Sequence, residues 1–228
     1  MPAGLGLLSK PAGWINQIPH RNFQKIFIPD LPGEGEGFIS GKLSKIPRGM
    51  SSKYLHVGIM ASVRKEVVKE DIDLLVSISG PEPQRTVLEG IILRDVAELP
   101  GEKVVLLGRS EENRLVQETA GLKVYSHLPR KEMNGLLNRA KMILSRPGYT
   151  TIMELAELGK KALFIPTPGQ TEQEYLARRL RDQNQFYSVK QQKLDLKEDL
   201  RRARKFSGLL HAEETAKSVE RIMSELDL

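Results

Sequence analysis

From residue 54 onward, short apolar runs alternate with stretches of helical period, and that alternation leaves few architectures open. Strand-length runs lie at 54–59, 72–78, 103–107, 122–125, 141–144, 162–165 and 186–189. Apolar residues recur at helical spacing over 83–98, 130–139, 151–158 and 171–181, and the link at 110–120 reads as a looser helix. Two more helices, near 194–205 and 212–226, close the chain. Strand–helix alternation specifies βαβ units and a mainly parallel sheet. Runs that are apolar on both faces need helices on both sides. The expectation is an α/β domain over 54–228, an open parallel sheet covered on both faces.

Residues 1–53 differ in texture. They are rich in Gly and Pro, carry one strand signal at 25–28, and run through P-D-L-P-G-E-G-E-G, which is turn and linker chemistry. Too few periodic apolar residues occur for an independent core. This segment reads as the remnant of an N-terminal domain followed by a linker.

Composition narrows the function classes. There is no cysteine, so disulfides and thiolate metal sites are excluded. His20, His56 and His211 show no metal-ligand spacing, and no metal site is expected. Nothing resembles a secretory leader or a membrane span, and the expected location is the cytoplasm. The formal net charge of +6 favours an anionic partner. Part of the excess is local: 190–205 holds seven basic and three acidic residues. With 5% aromatic residues and no nucleic-acid module, nucleic acid is not the expected partner.

Candidate ligand groups collect at the carboxyl ends of the expected strands, where open α/β sheets bind ligands. After 72–78 comes Ser79-Gly80-Pro81-Glu82-Pro83-Gln84-Arg85, a turn entering a helix. Free N–H groups and the helix dipole suit a diphosphate there, with Ser79 and Gly80 allowing close approach and Arg85 adding a charge-assisted contact; an ordinary βα turn is the competing reading. After 141–144 comes Arg146-Pro147-Gly148-Tyr149-Thr150-Thr151, with Glu154 one turn into the helix. A carboxylate at that mouth can accept from two vicinal hydroxyls, and it also complements the helix dipole. Gly159 sits where a C-cap belongs. After 162–165, Gln170, Glu172 and Gln173 offer amide and carboxylate groups to sugar hydroxyls, in a helix expected to be capped by Thr171 with Glu174 three residues on. His127, beside Leu128, follows 122–125 and reads either as a pocket residue or as a half-buried turn residue.

The block S-R-P-G-Y-T-T-I-M-E-L-A-E-L-G-K-K-A-L-F-I-P with the later E-Q-E-Y resembles the C-terminal, donor-binding half of GT-B glycosyltransferases, and family 28 most closely. The likeness runs from about 54 to 190. It implies a Rossmann-like fold and a nucleoside-diphosphate sugar, UDP-linked, bound as substrate, with no cofactor. By resemblance, Arg146, Gly148, Thr150 and Thr151 belong to the nucleotide-holding turn and helix. Glu154 takes the ribose hydroxyls, Glu172 and Gln173 the transferred sugar, and His127-Leu128 lies beside the base. Ser79 matches the serine of the diphosphate loop, and Arg64 a phosphate contact. The resemblance also implies a preceding acceptor-binding domain that carries the general base. Here that domain is expected to be missing or separate, and the expected partners are an acceptor-domain protein or a homo-oligomer, with peripheral contact at a membrane. A sugar-nucleotide epimerase on the same fold, or a non-catalytic nucleotide-binding module, are the alternative functions.

Overall fold

A computed structural model of the chain describes residues 22–109, 114–209 and 215–226. The chain divides into two bodies, 1–58 with 216–228 and 59–215. In the smaller body, strands β1 (Ile26–Ile28) and β2 (Tyr54–His56) pair in parallel, Ile26 opposite Tyr54 and Ile28 opposite His56. The run at 54–59, expected to open the main sheet, therefore belongs elsewhere. The segment read as linker is an ordered loop built on Asp30. This fully buried carboxylate accepts from the Ile39 N–H at 3.0 Å and the Ser40 N–H at 2.8 Å.

The larger body carries seven strands in the order β5-β6-β4-β3-β7-β8-β9. They are β3 (Leu74–Ser77), β4 (Lys103–Leu106), β5 (Leu115–Thr119), β6 (Leu122–Tyr125), β7 (Ile143–Ser145), β8 (Ala162–Phe164) and β9 (Tyr187–Ser188). Every pairing is parallel except β5 with β6. Its helices are α1 (Gln84–Asp95), α2 (Arg130–Arg139), α3 (Tyr149–Leu158), α4 (Thr171–Asp182) and α5 (Leu196–Ala203); α6 (Thr215–Glu225), at the chain's end, belongs to the smaller body from 216 on. Val76, Leu144 and Leu163 are fully buried in the sheet, and Leu88 and Ile92 of α1 pack in the same core. Each such side chain contributes roughly 1.5–3 kcal/mol by leaving water.

Topology places the site. From β3 the chain builds outward through β4 to β6, then returns to lay β7 on the other side of β3, so strand order reverses between β3 and β7. Their last residues, Ser77 and Ser145, are register partners. The loops that follow diverge above this switch point, where open α/β sheets form their ligand crevice.

The helix expected at 110–120 is instead strand β5, with 110–113 outside the described residues. All five residues of β5 are exposed. The ladder to β6, Leu115 opposite Tyr125 and Thr119 opposite Leu122, holds it rather than burial. Without a buried face it leaves no apolar period to read. Its exposed edge is blunted by shortness and by the Glu118–Lys123 ion pair at 2.9 Å.

One glycine keeps β3 and β4 in register at the crevice. Gly108 has φ +68°, and a Cβ there would lie 2.3 Å from the Ile78 carbonyl oxygen. That neighbour is backbone and has no rotamer to give. We expect Gly108→Ala to cost about 2–4 kcal/mol in chemical denaturation, from positive-φ strain and forced separation together. A loss under about 1 kcal/mol would show that the strand ends yield freely.

Candidate active site

Arg146 lies under the crevice. It follows β7, is 2% exposed, and spreads its guanidinium over four acceptors. Nε donates to the Ser79 carbonyl at 3.2 Å and Nη1 to the Ile165 carbonyl at 2.9 Å. Nη2 donates to the Gln84 carbonyl at 3.1 Å and to Gln191 Oε1 at 2.7 Å. None of the four acceptors is a carboxylate. Burial pushes the guanidinium down to about 10. The expectation that Arg146 faces a ligand is corrected: it binds together the loops after β3 and β8 and the segment after β9.

Above it, α3 begins at Tyr149 with Gly148 as N-cap and no capping side chain. Thr150 is exposed and Thr151 half-buried, and neither caps the helix. The positive end of its dipole therefore lies just past the end of β7, at the switch point. Gly159, at φ 65° and ψ 32°, ends the helix in the left-handed cap its position predicted. Glu154 sits in the second turn and is 7% exposed. Its Oε1 pairs with Arg130 and accepts from the Ser62 hydroxyl at 3.3 Å. Arg130 also donates to Ser62, so the three side chains form one cluster. Oε2 has no hydrogen-bond partner among the described residues.

The loop after β3 is exposed at Ser79 and Gly80. Gly80 has φ +111°, and a Cβ there would stand 3.4 Å from Thr167 Oγ1 and 3.9 Å from Arg146 Nε. The fold thus brings this loop against the loop after β8. At the start of α1, where a diphosphate site is expected, the protein also supplies an acceptor of its own. Glu82 accepts from the Thr86 N–H at 3.2 Å and pairs with Arg85. Arg85 also donates to the Leu107 carbonyl at 3.3 Å, so its cation is spent within the protein.

The loop after β8 is stitched by the helix it enters. Gln173 Oε1 accepts from the Thr167 N–H at 2.9 Å, and Glu174 Oε1 from the Gly169 N–H at 3.2 Å. The N-cap of α4 is Gln170, without a side-chain bond, so the expected Thr171 cap does not form. Gln170 and Glu172 are exposed at this end. His127 and Leu128 are half-buried beyond β6. Among the described residues no cluster of three or more His, Asp or Glu is placed to hold a metal.

Residues 89–226 match the glycosyltransferase family 28 C-terminal domain. The chain belongs to this family. A curated relative, the UDP-N-acetylglucosamine–N-acetylmuramyl-(pentapeptide) pyrophosphoryl-undecaprenol N-acetylglucosamine transferase of Methylobacterium nodulans, is 29% identical over 112 residues. The match covers 45% of this chain and 30% of that enzyme, so the chain spans less than a third of the relative's length. Among solved structures, the kitacinnamycin glycotransferase superposes with a TM-score of 0.55 at 12% identity, over 99% of this chain and 58% of that one. SnogD from Streptomyces nogalater gives 0.55 at 15% identity, over 97% and 63%. These structural likenesses show a shared fold, the Rossmann-like α/β fold of GT-B glycosyltransferases.

Four polar residues of the larger body escape a reading of local sequence. Ser62 and Arg130 reach Glu154 from 92 and 24 positions away. Ser145, 3% exposed, and Thr167, 2% exposed, have buried hydroxyl oxygens without a hydrogen-bond partner. Ser145 is the last residue of β7 and Thr167 lies in the loop after β8, facing Gly80. Hydroxyl residues at the carboxyl end of a buried strand are the signal that marks such positions.

Proposed function

We propose that this domain binds a nucleoside-diphosphate sugar, UDP-linked, as the donor half of a hexosyl transfer. The observation that carries the reading is Glu154: a nearly buried carboxylate with one oxygen uncommitted, one turn inside an uncapped helix that opens at the switch point. Such a carboxylate accepts from vicinal ribose hydroxyls. The mouth of α3, with Ser79 and Gly80, then receives the diphosphate. Gln170, Glu172 and Gln173 take the sugar, and His127-Leu128 flank the base. Arg85 and Arg146 support the loops without touching the donor.

Mechanistically, these groups serve the leaving side of the reaction. As the sugar–phosphate bond breaks, charge grows on the diphosphate, and helix-end N–H groups stabilise it without reorganising. The attacking hydroxyl needs a base, supplied with the acceptor by a partner domain. The curated relative's name places its acceptor on a pyrophosphoryl-undecaprenol; a lipid-linked diphosphate is the acceptor class this reading assigns. Among the described residues no helix is long and apolar enough to cross a membrane.

A thermal-shift titration tests donor binding. At a hundredfold excess over Kd, UDP or a UDP-sugar adds about 2.7 kcal/mol, raising Tm by about 5–10 °C for a body of this size. The chain by itself is expected to leave the UDP-sugar intact, with transfer appearing only when an acceptor-holding partner is added. No Tm response to any UDP-sugar at millimolar concentration would remove the reading.

A further inference from the structure

A polar cavity without Glu154 in its lining lies beside the β8–α4 loop. The β8–α4 loop, α4 and the segment after β9 enclose a cleft of about 680 Å³. Arg178 and Arg181 line it from α4, and Lys190 and Lys193 from the segment after β9. Elsewhere in this body many cations are matched: Arg139 with Asp71 at 2.8 Å, Lys141 with Asp73 at 2.7 Å, Lys160 with Glu70 at 2.6 Å. None of the four cleft cations forms an ion pair with a described residue. Two carboxylates share the cavity, and one of them, Glu174, is engaged by the Gly169 N–H. Four positive groups against two negative ones leave the concave surface cationic.

Part of this charge is held in place. Arg181 Nη1 donates to the Ser188 carbonyl at 3.0 Å, and its guanidinium stands 4.9 Å from the centre of the Tyr187 ring. The remaining N–H groups of that fork are uncommitted. Pro166, Pro168 and Val189 supply apolar wall.

We infer that this cleft binds the phosphate group of an anionic ligand, through residues other than those assigned to the donor. Low-dielectric walls concentrate the field of charges gathered in a concavity. An arginine fork beside mobile ammonium groups suits phosphate oxygens, each contact a charge-assisted hydrogen bond. The apolar wall gives room to the organic part of an ester. Two sources share this chemistry: a soluble phosphate ester and a phospholipid headgroup.

The test uses the isotopically labelled full chain. Inorganic phosphate is titrated in one arm, and vesicles of an equal mixture of phosphatidylcholine and phosphatidylglycerol in the other. Phosphate binding is followed at the amides of Lys190, Gln192 and Lys193, with Ser79 and Gly80 reporting the donor crevice. Vesicle binding is followed by co-sedimentation. The triple variant Arg178→Gln, Lys190→Gln, Lys193→Gln is compared with Lys65→Gln, Lys69→Gln, Lys131→Gln, which removes equal charge from exposed positions outside the cleft. The cleft variant should bind at least about tenfold more weakly, with its Tm unchanged, and the control should bind as the parent does. Cleft-dependent binding of phosphate supports the site with a soluble ester as its ligand; cleft dependence confined to the vesicles supports it with a lipid headgroup. Equal weakening in both variants, or no cleft dependence in either arm, overturns it.

Discussion

Arg146→Met is expected to lower the stability of the larger body by about 3–5 kcal/mol, the largest effect of any single substitution considered. Methionine fills much of the arginine's volume but donates nothing. The carbonyls of Ser79, Gln84 and Ile165 and the amide oxygen of Gln191 lose their shared donor together. An orphaned buried acceptor costs about 1–3 kcal/mol. The total is below four times that figure for two reasons. Loops at strand ends relax toward water, and the variant escapes the cost of burying a cation without a carboxylate. That cost shows in the guanidinium's descent from the ordinary arginine value to about 10. With the folded value below the unfolded one, the unfolded chain holds more protons from about pH 10 up to the ordinary arginine value, and stability from this group rises with pH across that window. Below about pH 10 the penalty is constant, so the comparison is clean at neutrality. Arg146→Lys keeps the charge but not the fan of donors and should recover less than half of the loss. Urea unfolding of the larger body measures both variants. A loss under about 1 kcal/mol for Arg146→Met would mean that the four contacts do not hold the loops.

The fate of Arg146 also shows where local sequence stops informing. Its neighbours Pro147 and Gly148 announce a turn, and Gly159 a helix end; both follow from backbone preferences at single positions. What the guanidinium does depends on carbonyls 19, 62 and 67 residues away. No local pattern encodes that convergence, so a cation beside a polar turn reads as a ligand contact. Arg85 is different. Glu82 stands three residues before it, and an i, i+3 charge pair at a helix start was visible in the sequence. Strand β5 was illegible for a third reason: an edge strand held by its ladder and exposed on every residue carries no period. The parallel core was legible because β3, β4, β7 and β8 are buried on both faces, and unbroken apolar runs have few other uses. The crevice was legible in outline for the same reason, since strand ends fix where its loops must gather.

Glu154→Gln is expected to weaken UDP binding by about 10- to 100-fold, the loss of one charged, two-pronged hydrogen bond to a ribose. The variant should remain folded, with a stability change under about 1 kcal/mol. Glutamine still accepts from Ser62 and Arg130, and Arg130, half exposed, can turn its charge to water. Three comparisons separate a ribose contact from a structural one. Uridine should lose affinity in proportion to UDP, because the diphosphate is held elsewhere. UDP lacking the 2′-hydroxyl should bind the parent weakly and Glu154→Gln little worse than UDP does, since the two changes remove the same interaction. Arg130→Gln, which releases Oε1, should leave UDP affinity within about threefold of the parent or tighten it. Isothermal titration reads all of these. If Arg130→Gln abolishes binding as Glu154→Gln does, the carboxylate serves to hold Arg130, and the arginine, not Glu154, is the group that meets the nucleotide.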